Sequence, residues 1–161
     1  MENIDFNLKA YAPVLATAYG EGANQDTNGK VEILSTILNR AESGRAEFGA
    51  DSGKITDVLN RGYYAYSQKS PKFMEAINQK FPDEMSKKSY REYEVLLSGM
   101  LSGKVGRTKS LFFLTPNEVQ KVKKTKAINM DLLEETGKNK TWIFYKYKDK
   151  LAGKRKTSKK E

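Results

Sequence analysis

The sequence predicts an α+β fold, mainly helical, with its strands gathered near the C-terminus. Three observations carry this. Apolar residues recur at helical spacing through the first two thirds, as in Val31, Leu34, Leu38 and Ala41. Two β-branched and aromatic runs, "SLFFLT" and "TWIFYKY", fall in the last third and read as a pair of strands. The length of 161 residues suits one core rather than two. We expect a single domain over residues 1–147 and a basic, Gly-containing tail over 148–161.

Taken in order, Asp5 or Asn7 can cap a first helix, which Pro13 interrupts. A helix then runs from Pro13 to about Gly20, with Val14, Leu15 and Ala18 as its buried stripe. The next helix has Asn28 as its N-cap. Ile33 and Ile37 join its apolar repeat, and Gly44 ends it. "GRAEFGADSGK" reads as a loop. "ITDVLNRGYYAYS" holds a short helix and then an aromatic cluster. "SPKFMEAINQKF" starts a helix with Ser70 as cap and Pro71 at its first position. "SYREYEVLLSGMLSG" is a helix with Tyr93, Leu96, Leu97, Met100 and Leu101 near one face, closed by Gly103 and Gly106. "PNEVQKVKK" and a polar connector separate the two strands.

Composition removes whole classes of chemistry. There is no cysteine and no histidine. Ser-His-Asp and Cys-His catalysis, disulfides and the usual zinc sets are therefore out, and no metal or cofactor is expected. No run of eighteen apolar residues exists, so no membrane span is expected. The acidic start "MENIDFNLKAYAP" is wrong for a secretory signal. The formal net charge is +9, which fits either simple solubility or a polyanionic partner. "GKVGRTKS" lacks the spacing of a phosphate loop.

Glu21 stands out among the carboxylates that remain. It lies between Gly20 and Gly22 at the seam of two core helices. A helix C-terminus disfavours ionisation there, and Tyr19, Tyr63, Tyr64 and Tyr66 would add desolvation. Both effects suit a general acid for a glycosidic oxygen. The flanking glycines would leave room for a bulky substrate. The other reading is a glutamate that merely ends a helix in solvent.

"YGEGANQDTNGKVEILSTILNR" resembles the signature of the SleB-like cell wall hydrolases, the spore-cortex-lytic and phage hydrolase group. Tyr19, Gly20, Glu21, Gly29, Val31, Leu38, Asn39 and Arg40 fall at matching positions without a gap. "ITDVLNRGYYAYS", "EVLLSGMLSGKVGRTKSLFFLTP" and "TWIFYKY" resemble later family segments in the same order, so the likeness runs from about Tyr11 to Tyr147. The resemblance implies a lysozyme-like helical lobe with a small antiparallel strand region bordering a groove. It also implies cleavage of peptidoglycan glycan strands, mostly as lytic transglycosylases, with Glu21 as the catalytic acid. The chain departs from the family at four points. Gln25 stands where a second glutamate is common, Ala23 replaces an Arg, Tyr63 a Gln and Ile143 a His.

A glycosidase that adds water normally uses two carboxylates, about 5–5.5 Å apart when retaining and about 6.5–9.5 Å when inverting. A transglycosylase needs one, because the muramic acid's own C6 hydroxyl is the nucleophile. The sequence reading is therefore a single-glutamate reaction giving 1,6-anhydro ends, with Asp26, Asp51 and Asp57 as candidate second carboxylates for a hydrolytic alternative. Tyr63 and Tyr66 are expected to line a sugar-stacking groove and Tyr64 to pack in the core. Ser67, Thr115 and Asn117 are further candidates for substrate contact, and either Phe112 or Phe113 packs inward. Asn39 and Arg40 are expected to tie the second helix to its neighbours. The expected partner is bacterial peptidoglycan, met by a monomer with no obligatory nucleic acid. The expected setting is a phage endolysin held in the host cytoplasm until holin-mediated release, or a component carried in the virion. The rivals are a basic nucleic-acid-binding module and a catalytically dead glycan-binding or virion structural part.

Overall fold

A computed structural model describes residues 10–148. The expected caps Asp5 and Asn7 and all but the first residue of the basic tail lie outside the described residues. The chain divides into two compact units with the boundary between Thr108 and Lys109. The first is helical and the second is built on a small antiparallel sheet, so the mainly helical α+β class holds.

In the first unit, α1 (Ala12–Gly22) is the central helix and packs against every other α-helix of the unit. Pro13 sits in its first turn, where a missing N–H costs nothing. Val14 through Tyr19 are buried on all sides, so α1 is a core helix rather than the one-sided stripe expected. Thr17 survives in that core because its hydroxyl donates to the Pro13 carbonyl at 2.7 Å.

The next helix, α2 (Thr27–Ser43), ends at Gly44, whose φ of +67° is the left-handed conformation glycine adopts freely. Its N-cap is Asp26, not Asn28: the Asp26 carboxylate accepts the Gly29 N–H at 2.8 Å. Two 3-10 turns, Ala46–Phe48 and Ala50–Ser52, occupy the segment expected as loop. Then come α3 (Ile55–Gly62), the single turn α4 (Tyr64–Ser67) and α5 (Pro71–Ile77), capped by Ser70 as expected. The long α6 (Glu84–Ser102) starts five residues earlier than "SYREYE" suggested, because Asp83 caps it through the Ser86 N–H at 2.8 Å.

In the second unit, β1 (Phe112–Leu114) pairs antiparallel with β3 (Ile143–Tyr147), with Phe113 opposite Phe144. The expected strand pair is therefore present, but a third strand, β2 (Leu133–Lys138), lies on the far side of β3. Its sequence "LEETGK" has no apolar alternation because it is a sheet edge with mostly solvated side chains. The segment after β1 is a helix, α7 (Pro116–Thr125), opened by a reciprocal capping box between Thr115 and Glu118. Among the described residues no helix is long and apolar enough to cross a membrane.

Candidate active site

Glu21 occupies the last turn of α1 and is half-buried. Its Oε2 accepts the backbone N–H of Ala65 in α4 at 2.8 Å, a bond that fixes the direction of the side chain.

The close approach of α4 to α1 depends on Gly20. A Cβ there would stand 2.7 Å from the Ala65 Cβ and 3.3 Å from the Phe73 backbone nitrogen. At Gly22 a Cβ would meet Ile33 and stand 2.9 Å from the Tyr93 hydroxyl. The glycines were expected to admit substrate. Instead the protein's own chain fills that space: Gly20 admits the Ala65 segment that holds Glu21, and Gly22 admits the side chains of Ile33, Gln25 and Tyr93.

Two buried tyrosines lie within electrostatic reach of the carboxylate. Tyr93 on α6 donates to the Gly22 carbonyl at 2.6 Å, satisfying a terminal carbonyl of α1 beside Glu21. Tyr63 lies 2.8 Å from the Thr36 hydroxyl, which itself donates to the Ile33 carbonyl at 2.7 Å. Thr36 has one proton to give, so Tyr63 is the donor in its bond to Thr36. Burial pushes both phenols up, Tyr93 well above the ordinary value. The Glu21 charge pushes each the same way, while the Arg40 guanidinium opposes the rise at Tyr63.

The tyrosine faces are the reverse of those expected. Tyr63 is in the core at 1 % exposure and Tyr64 is 71 % exposed. The expectation assumed an extended segment, but Tyr63 is the last extended residue before the helical turn of α4, and that turn swings Tyr64 outward. Tyr66 is half-buried, edge-on to Phe73 at 5.6 Å, with the Lys69 ammonium 3.7 Å from its ring centroid. Ser67 is half-buried too, and its hydroxyl donates to the Tyr64 carbonyl at 3.4 Å.

Arg40 is buried between two rings, 4.8 Å from the Phe48 centroid and 5.1 Å from that of Tyr63. Gly62 is bare because a Cβ there would strike that guanidinium. Asn39 donates to the Thr108 carbonyl at 2.8 Å. Both residues bind α2 to its neighbours.

Of the three candidate second carboxylates, Asp26 is committed as the cap of α2. Asp51 and Asp57 are exposed, on the second 3-10 turn and in the first turn of α3. In the second unit the Thr115 side chain is taken up in capping α7, Asn117 is exposed in the first turn of that helix, and it is Phe112 that packs inward. Among the described residues no three His, Cys, Asp or Glu side chains gather to hold a metal ion.

A cleft of about 710 Å³ opens beside the turn that follows Glu21. Ala23, Asn24 and Gln25 line one part of it, and Lys72, Lys88 and Arg91 another. Glu21 is not among its lining residues. Two participants escaped sequence reasoning. The Ala65 N–H carries no side-chain signal at all. Tyr93 was read only as part of an apolar face, although a tyrosine among buried leucines calls for a partner for its hydroxyl. No protein-family profile, curated protein or solved structure matches the chain.

Proposed function

We propose that this chain cleaves peptidoglycan glycan strands between N-acetylmuramic acid and N-acetylglucosamine as a single-glutamate lytic transglycosylase. Glu21 protonates the leaving glycosidic oxygen as the muramyl C1–O bond breaks. The resulting carboxylate then takes the proton of the muramyl C6 hydroxyl as that oxygen bonds to C1, giving a 1,6-anhydro end with no water consumed. The observation that carries this reading is the half-buried Glu21 carboxylate, held at the end of α1 by the Ala65 N–H. A glutamate that merely ended a helix in solvent would have no need of that anchor. In this reading the helical unit corresponds to a lysozyme-like lobe and the three-stranded sheet to its small strand region. The biological setting is a phage endolysin released by a holin, or a lysin carried in the virion.

The test is mass spectrometry of fragments released from purified peptidoglycan by the native chain and by Glu21→Gln. Anhydro-muramyl ends from the native chain, with release slowed by about 10²–10⁴-fold in the variant, are expected of a lost general acid. Reducing ends would replace the transglycosylase with a hydrolase that uses a second carboxylate. No fragments from the native chain would end the enzyme reading.

A further inference from the structure

The net charge is not spread over the molecule. Residues 1–108 carry 14 Lys and Arg against 14 Asp and Glu, whereas residues 109–161 carry 15 against 6. The whole excess of +9 therefore belongs to the second unit and the tail beyond it. Within the described residues, Lys121, Lys123 and Lys124 stand exposed on the second half of α7, and Lys126 follows at its C-cap. The helix C-terminus there adds its own negative end, which tolerates this crowding of cations. Among the described residues none of the four has a carboxylate within ion-pair distance, whereas Lys146 of the same unit pairs with Glu134 at 3.5 Å. Lys123 and Lys126 also line a cleft of about 520 Å³ with Asn129 and Asp131, the one acid among its lining residues.

The aromatic side chains of this unit decide what kind of polyanion fits. Phe112, Trp142, Phe144 and Tyr145 are buried, and the half-buried Phe113 and Tyr147 stack edge-on against Trp142 and Phe112. A surface that binds single-stranded nucleic acid presents rings for bases to stack on. Here the rings form the core. All nine cations of residues 109–148 are lysines, point charges without the bidentate fork that reads guanine edges.

We infer that the second unit is an electrostatic anchor for a base-free phosphodiester polymer of the bacterial wall, of the poly(glycerol phosphate) kind, centred on Lys121, Lys123, Lys124 and Lys126. This rests on the reading of the chain as a wall lysin. The anchor raises the local concentration of the enzyme on its insoluble substrate and is separate from the Glu21 chemistry.

The full chain carrying Glu21→Gln, which leaves the wall undigested, is tested for retention on wall sacculi with their phosphodiester polymers intact or chemically stripped. Retention on intact sacculi is expected to fall by at least tenfold when the four lysines are changed together to Gln. The slope of log retention against log salt should drop by about three, from about 0.7 counterions released per phosphate contact on a flexible chain. A version with four arginines should keep both, and thermal melting should show all variants folded. Equal retention on stripped sacculi would overturn the inference. So would double-stranded DNA displacing the chain from sacculi more effectively than poly(glycerol phosphate) at equal phosphate concentration and salt. Retention that behaves as expected while the native chain releases no fragments would leave the anchor standing and remove the enzymatic reading.

Discussion

The two units use their polar residues in opposite ways. In the helical unit, polar groups are drawn inward and matched one by one. Thr17 bonds Pro13, Thr36 bonds Ile33, Tyr63 bonds Thr36, Tyr93 bonds Gly22 and Tyr19 bonds Glu75. In the sheet unit the aromatic residues form the core, and among the described residues every lysine but Lys146 stands exposed. A buried hydroxyl must find its partner or cost about 1–3 kcal/mol, so the first unit tolerates few arrangements. A solvated lysine costs nothing wherever it points, so the second unit keeps its charge and loses little precision. Position is what proton transfer needs, and accumulated charge is what attraction to a polymer needs. Substitutions in the first unit should therefore be read as lost stability or rate, and those in the second as changed salt dependence.

The strongest structural test of that contrast is Gly20→Ala. The added Cβ would press on Ala65 and on the Phe73 backbone, neither of which is a flexible side-chain end. Overpacking of this kind costs about 1–3 kcal/mol, and here it also pushes the Ala65 N–H away from Glu21. We expect a lower Tm together with slower fragment release, measured by thermal melting and by muropeptide yield. A variant that loses stability but keeps full rate would show that the Ala65 contact is packing rather than positioning. Wall retention through the lysines should be unchanged in either case.

Tyr63→Phe is a smaller perturbation. It removes the donor to Thr36 but leaves the Thr36 bond to Ile33 and the ring beside Arg40. A loss of about 0.5–1.5 kcal/mol is expected from denaturant unfolding. The same substitution would instead alter sugar affinity if Tyr63 faced a groove, as the sequence suggested.

How that suggestion went astray shows what a sequence can and cannot carry here. Helix existence was legible wherever apolar residues repeat at helical spacing, as in Leu34 and Leu38. So were the caps Ser70 and Gly44 and the pairing of the two aromatic strands. Elements without an apolar pattern were not: β2 is a polar edge, and α7 buries little beyond Val119. The signal that could have found α7, a Thr-Pro-Asn-Glu capping box, was in view. At Glu21, the position at the end of a helix was legible from the glycines that follow the apolar run. Its anchor was not, because a backbone N–H on a segment 44 residues away has no sequence signature. Tyr63 and Tyr64 were assigned by strand alternation across a segment whose helical turn reverses the faces.

The subtlest test concerns the ion pair behind the second tyrosine. The Lys30 ammonium, almost wholly buried and 5.3 Å from the centroid of the Tyr93 ring, meets Glu92 Oε1 at 2.6 Å. Thr27 donates to the other oxygen at 2.5 Å. The Lys30 bond first, and then the Thr27 bond, hold the Glu92 carboxyl below its ordinary value of 4.5. A carboxyl depressed in the folded state stabilises the fold at pH above its unfolded value, and that contribution is lost as pH falls through the folded one. Because the Glu92 side chain is 37 % exposed, solvent screening limits the effect to about 1 kcal/mol or less. Glu92→Gln should therefore melt a few degrees below the native chain at pH 7, and the two melting temperatures should converge as the pH falls from the ordinary glutamate value through the depressed folded one. A gap that persisted unchanged into acid, once the carboxyl is protonated in both states, would assign the stabilisation to hydrogen bonding and packing that Gln cannot reproduce, with no part played by the carboxylate charge. Convergence would show that even the buried lysine of the helical unit is held by a matched partner, unlike the exposed lysines of α7, whose effect on binding should change with salt.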